Sequence, residues 1–224
     1  MDRKKDAELI IDQILSHIPK VVDGRSAITW MRESGSKNWR QMEWIGFWFE
    51  HFFEVNVAPQ LQITEGPIFG KTQIDIRSKF VWDLKAHPDA KPSMILNDQE
   101  AFRTCIELES SIGFIVVEGT AEFDHTGDFK RWHDQFKGGK SSYVLAGDAS
   151  GRVSRTRKIS FRPNRVIAFA FEALHKVDLA SEEGWLKPFQ EGMRNSNGNS
   201  RRAKYMVSSM NDIPPEYILI DRKI

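Results

Sequence analysis

The chain has 224 residues, 40% of them hydrophobic and 11% aromatic, with 15 Phe and 7 Trp, which is ample apolar mass for a packed core and excludes a disordered chain. Its 32 basic and 31 acidic residues leave a formal net charge of +1, so attraction to a polyanion has to come from local clustering, not from the total. A single cysteine, Cys105, excludes an internal disulfide framework and fits a reducing compartment; with no run near the roughly 18–20 apolar residues of a membrane span, and an opening MDRKKDAELIIDQIL unlike a secretory signal, the expectation is a cytoplasmic protein without a membrane partner.

Leu9, Ile10, Ile11, Ile14, Leu15 and Ile18 fall at helical spacing and predict a helix over residues 5–18, ended by Pro19. A polar, turn-rich passage runs from Arg32 to Asn38. The stretch WRQMEWIGFWFEHFFE, Trp39 to Glu54, reads as a largely buried helix that ends before Pro59. Strands are expected at Gln60–Ile63, Lys71–Arg77 and Phe80–Ala86, with Pro88 and Pro92 marking the exit loop. Asn97 or Asp98 caps a predicted helix through Glu109, with Phe102, Cys105, Ile106 and Leu108 inward. GFIVVEG, Gly113 to Gly119, is a continuous apolar run with β-branched residues and suits a strand buried on both faces. Further on, the pattern predicts a short amphipathic helix at Asp128–Phe136, strands at Ser142–Leu145, Val153–Phe161 and Val166–Phe171, and a helix at Leu179–Met193. Mixed strand and loop follow from Tyr205, after a polar loop from Arg194 to Lys204.

The segment QIDIRSKFVWDLKAH, Gln73 to His87, carries the chemistry. It reads as two strands joined at Ser78-Lys79. Side chains alternate along a strand, so Asp83 and Lys85 point one way, Trp82 and Leu84 the other. A hairpin brings Asp75 beside Asp83 and Lys85. Two carboxylates and one ammonium on a sheet rim suit a hard divalent cation and the activation of a water. The plain alternative is a cross-strand charge pattern on a solvated face. His87 continues the Asp83–Lys85 face as a possible auxiliary group or as an ordinary strand-end histidine. Glu43 and Glu50 lie two helical turns apart on one face of the long apolar helix, where an acid should have a partner or a role. The remaining histidines have no metal-ligand spacing with Cys105.

The order helix, three strands, helix, strand, with an acid and then acid-x-Lys on adjacent strands, resembles the core of the PD-(D/E)XK nuclease superfamily over Trp39 to about Gly119. In size and in its appended basic region the chain looks most like a type II restriction endonuclease. Ile74 stands where the family pattern has Pro. The resemblance implies an α/β (α+β) fold with a restriction-endonuclease-like core, a central mixed β-sheet flanked by helices, and additional C-terminal β/α elements. It divides a single nuclease domain into an N-terminal helix and loop (1–38), a catalytic core (39–119) and recognition and dimerisation elements (120–224). It assigns Asp75 and Asp83 to Mg2+, Lys85 to the attacking water, and Glu43 to the metal site as the helix acid, with Glu50 as the alternate.

Double-stranded DNA is the implied partner, and a homodimer is expected because a palindromic site is cut on both strands by a two-fold symmetric protein. Basic and amide side chains that suit phosphates and base edges cluster in three places. The first holds Arg32, Lys37, Asn38, Arg40 and Gln41. The second holds Arg152, Arg155, Arg157, Lys158, Arg162 and Arg165, with Arg155 and Arg157 expected on one strand face. The third holds Arg194, Asn195, Asn197, Asn199, Arg201, Arg202 and Lys204. The helix stripe Leu9–Ile18 and the segment Asp128–Phe136 are candidate dimer contacts. The alternatives are a structure-specific repair nuclease or resolvase of the same fold, and a non-catalytic DNA-binding protein.

Overall fold

Local capping sets where the first helices begin. In α1 (Arg3–His17) the Asp2 carboxylate accepts from the Lys5 amide at 2.8 Å, and the Ile10, Ile11 and Ile14 side of the helix is buried. Asp23 does the same for α2 (Gly24–Glu33), accepting from Ser26 N–H at 2.8 Å, at the end of a two-residue strand β1 (Val22–Asp23). These positions come from a computed structural model, which describes residues 2–140, 142–151, 155–194 and 198–224.

The aromatic helix α3 (Trp44–Asn56) buries Trp44, Ile45, Trp48, Phe49, Phe52 and Phe53 and is followed by the single turn α4 (Ala58–Leu61). Short strands β2 (Thr64–Glu65), β3 (Ile68–Phe69), β4 (Thr72–Gln73) and β5 (Ile76–Arg77) lead to β6 (Val81–Pro88). Next come β7 (Met94–Asp98), α5 (Gln99–Glu109) and β8 (Ile112–Phe123), then α6 (Asp128–Phe136), α7 (Ser142–Ala149) and β9 (Lys158–Phe171). The chain finishes with α8 (Leu174–Glu182), β10 (Leu186–Phe189), β11 (Lys204–Val207) and β12 (Ile218–Lys223).

The result is a mixed α/β architecture with a mixed central sheet flanked by helices. Its strand order is β1-β9-β8-β6-β5-β2, with β12 also on β9. β6 and β8 are parallel, Asp83 opposite Phe114 and Lys85 opposite Val116; the other pairings are antiparallel. A second sheet, β10-β11-β7, lies beside it. Phe114, Ile115, Val116 and Val117 of β8 have no solvent exposure. Ile115 and Val117 pack with Trp82, Leu84 and α1–α3, whereas Phe114 and Val116 pack with Val81, α5 and the second sheet. β8 is therefore buried on both faces, as its unbroken apolar run predicts. Among the described residues no helix is long and apolar enough to cross a membrane.

Several expected elements differ. Residues Gln60–Ile63 are not a strand: Pro59 sits in the first turn of α4, where its fixed φ is favourable, and Gln62 closes that turn at φ +54°. Ser142–Leu145 belongs to α7, not to a strand. The helix expected at Leu179–Met193 is α8 plus β10, because Gly184, at φ +81°, stops the helix and the chain returns as a strand. Val153 and Ser154 lie outside the described residues, and the strands expected at Val153–Phe161 and Val166–Phe171 are one strand, β9. The apolar faces proposed for dimer contact are occupied within the chain: Ile10, Ile11, Ile14 and Phe129 are in the core, while Leu9 is 47% exposed.

Candidate functional site

The β5–β6 hairpin is fixed from both sides. Ile76 faces Trp82 and Arg77 faces Val81, and across the connection Ser78 N–H donates to Phe80 O at 3.0 Å. On one side the buried Asp6 carboxylate accepts from the Trp82 indole N–H at 2.9 Å and from the Ser78 hydroxyl. On the other, Arg77 forks onto Glu109 at 2.9 and 2.6 Å.

The strand expected over Lys71–Arg77 is broken at Ile74 and Asp75, and this break aims the first acid. Gly66 N–H donates to Asp75 O at 3.1 Å, and Ile74 N–H to Pro67 O at 2.9 Å. A Cβ on Gly66 would stand 2.2 Å from Ile74 O, so this crossing requires glycine. Released from the ladder, the Asp75 carboxylate accepts from Leu84 N–H at 2.6 Å. Asp83, 2% exposed, gives its two carboxylate oxygens to the Lys85 ammonium and the Asn97 amide. Asp75, Asp83 and Lys85 are thus gathered around the hairpin, with Asp83 and Lys85 on one face as alternation requires.

Of the two helix acids, Glu50 is the one that joins them. Glu50, Asp75 and Leu84 line a cavity of about 620 Å³ whose rim includes Lys37 and Asn38. Burial, reinforced by the nearby Asp75 carboxylate and opposed by Lys85, pushes the Glu50 carboxyl up to about 7. Asp75 is also raised, again chiefly by burial, with Lys85 and the Leu84 N–H acting the other way. Burial pulls the Lys85 ammonium below its ordinary value, while Asp75 and Glu50 pull it back up, and contact with Asp83 acts in that upward direction too. Glu43 sits at the foot of α3, about 10 Å below Glu50 along the helix axis. It is paired with Lys158 and lines a different cavity. His87 follows Lys85 on the same face, its Nε2 2.6 Å from Lys91 O, and burial lowers its proton affinity.

The basic clusters are placed unequally. Lys37 and Asn38 border the carboxylate cavity. Arg40 lies over the Trp39 ring at 4.8 Å, and Gln41 N–H donates to Asn38 O at 3.0 Å. Arg155 and Arg157 precede β9 and are not part of it. Arg157 is 4% exposed, 3.8 Å from Asp134, so it belongs to the interior and cannot form a surface track with Arg155. Arg152, Asn195 and Asn197 lie outside the described residues. Arg194 is exposed and pairs its backbone with Ser200.

Arg201, Arg202 and Lys204 line a cavity of about 320 Å³ with Thr72, Asn97, Asp98 and Gln190. Asn97 is the same side chain that holds Asp83, and Lys204 is close enough to lower the proton affinity of Lys85. Arg201, Arg202 and Lys204 of the third basic cluster therefore open onto the Asp83–Lys85 face. In the sequence Asn97 reads only as a candidate helix cap, because β7 was not recognised; the alternation of buried Met94, Leu96 and Asp98 with less buried Ile95 and Asn97 was the available signal.

Among the described residues, no three His, Cys, Asp or Glu side chains are grouped to hold a metal ion. Glu50 and Asp75 line one cavity and stand close enough for Asp75 to raise the proton affinity of Glu50. No protein-family model matches the chain, and neither the curated proteins nor the solved structures hold a match to it.

Proposed function

We propose that the chain is a Mg2+-dependent, sequence-specific endonuclease of restriction type that hydrolyses phosphodiester bonds in double-stranded DNA. The observation that carries this reading is the convergence of Glu50, Asp75 and Lys85 at the base of the hairpin. Two half-buried carboxyls, each raised chiefly by burial and Glu50 further by Asp75, form a site whose unfavourable negative charge a dication would relieve. Their donors are all oxygen, which suits Mg2+, an ion that keeps several waters and needs one or two carboxylates. Glu50 and Asp75 are therefore the residues that would hold it. When bound, Mg2+ neutralises phosphoryl charge, stabilises the leaving oxygen and makes a water more acidic.

The chain's own residues supply the rest. Lys85, steadied by Asp83, presents N–H donors to the attacking water and to a non-bridging phosphoryl oxygen. Asn97 keeps Asp83 turned towards Lys85. Arg201, Arg202 and Lys204 on the same side provide cationic contacts for the DNA backbone, and Lys37 and Asn38 provide them at the carboxylate rim. In the reaction the water oxygen bonds to phosphorus, one ester P–O bond breaks, and the departing oxygen takes a proton. The fold belonging with this reading is a restriction-endonuclease-like core, and the assembly a homodimer.

The test is incubation of the protein with supercoiled plasmid and phage DNA in Mg2+, beside EDTA and Asp75→Asn controls. Discrete fragments that require Mg2+ and Asp75 are expected. Intact DNA throughout, or equal cutting by Asp75→Asn, would remove the proposal. A second reading, a nuclease that recognises DNA structure, is favoured by a cavity near the His87 end of β6 that Ile95, Phe189 and Met206 line together with Lys91, Arg155 and Lys158. It predicts cutting at junctions or tails in place of a fixed band pattern.

A further inference from the structure

The outward face of the second sheet carries apolar side chains where it meets the start of β9, with Lys187 and Lys204 on neighbouring positions. Met206 pairs with Ile95 across β11 and β7, and Phe189 lies on the neighbouring strand β10. Ile95 is 40% exposed in mid-strand. These three side chains form one wall of a cavity of about 580 Å³. Lys91, Arg155 and Lys158 line the same cavity, and the acid among its lining residues, Glu43, is paired with Lys158. The groove is thus net cationic beside an apolar platform.

It also connects with the candidate active site. Lys91 and Lys158 both lower the proton affinity of His87, which shares the β6 face of Asp83 and Lys85. Cations near each end of that polar row, Lys204 by Lys85 and Lys91 with Lys158 by His87, describe a path for a phosphate-bearing chain. A metal ion would find three cations and a paired acid here, and an apolar helix would leave the cations unmatched. An unpaired nucleotide matches both halves, since its base has a flat apolar face and its phosphate is an anion.

We infer that the groove formed by Ile95, Phe189 and Met206 with Lys91, Arg155 and Lys158 holds an unpaired nucleotide of a nucleic-acid strand that continues past Lys85. The route of the strand rests on the nuclease reading, but the binding itself can be measured without cleavage. The probes are a fluorescently labelled blunt duplex and the same duplex with a short unpaired tail, compared by anisotropy in EDTA at matched low salt.

Tighter binding of the tailed duplex, by about tenfold, is expected from the stacking of one base. Phe189→Ala should remove most of that preference while leaving blunt-duplex affinity unchanged. Ile95→Ser, at an exposed position, serves as a second platform variant should Phe189→Ala fold poorly. Equal affinity of the native protein for both probes, absence of binding to either, or equal losses on both in the variants would overturn the inference. A tail preference lost in these variants, in a protein that cuts no DNA, would sustain the groove and sink the nuclease reading. Cutting without a tail preference would do the reverse.

Discussion

Glu50 should make the protein less stable as the pH rises, and Glu50→Gln should remove that dependence. Below pH 4.5 the carboxyl is protonated in both the folded and unfolded chain, so it costs nothing. Between 4.5 and about 7 the unfolded chain ionises while the folded chain keeps its proton, so stability falls through this window and levels off above it. The interval corresponds to about 3 kcal/mol at roughly 1.4 kcal/mol per tenfold change in proton affinity. Glu50 keeps some contact with solvent, which reduces the figure to about 2 kcal/mol. Glutamine keeps the shape and drops the charge. Urea unfolding followed by tryptophan fluorescence from pH 4.5 to 8.5 reads the effect. The two proteins should be nearly equal at the acid end, and Glu50→Gln about 2 kcal/mol more stable at pH 8. A difference that is constant with pH, or a variant less stable at pH 8, would refute the reasoning.

Three other measurements probe the structure around the site. A Cβ at Gly113 would stand 2.2 Å from the Trp82 ring, itself fully buried and tied to Asp6; Gly113→Ala should therefore cost about 3 kcal/mol in urea unfolding, and a loss below about 1 would contradict this packing. Burial raises the Cys105 thiol to about 12, so it should resist thiol reagents at pH 8 in the native protein and react once unfolded, whereas prompt native labelling would refute its burial. The enclosed His133 ring, lowered to about 4 chiefly by burial, should stay neutral by NMR down to about that pH; a midpoint near 6.5 would mean the ring is solvated.

Elements whose own side chains carry a clean period were legible in the sequence. The Ile10, Ile11, Ile14 spacing marked α1, the aromatic run marked α3, and Asp98 caps α5 by accepting from Ala101 N–H at 3.0 Å. The alternation that placed Asp83 and Lys85 on one face and Trp82 and Leu84 on the other holds in β6. What could not be read depends on partners distant in sequence. The break that turns Asp75 inward comes from Gly66 and Pro67, the clamp on Asp83 from Asn97, and the anchor on Trp82 from Asp6. The choice between Glu43 and Glu50 was open because a helix running from Trp39 would put both on one face, whereas α3 begins at Trp44 with Glu43 as its non-helical N-cap. Lys158, more than a hundred residues away, engages Glu43, and the crossing of α3 over β6 leaves Glu50 with Asp75. Arg157 illustrates the converse, since a basic residue in a basic cluster is buried against α6 by a fold the local pattern does not encode.

In the proposed nuclease, Glu50 and Asp75, and not Glu43, hold the divalent cation beside Lys85. Titration of Mn2+ into the protein at pH 8, with the free ion followed by electron paramagnetic resonance, tests it most directly. Binding by the native chain is expected, retained in Glu43→Gln and abolished in Glu50→Gln and in Asp75→Asn. A native chain that takes up no Mn2+, or loss in Glu43→Gln with retention in Glu50→Gln, would contradict it.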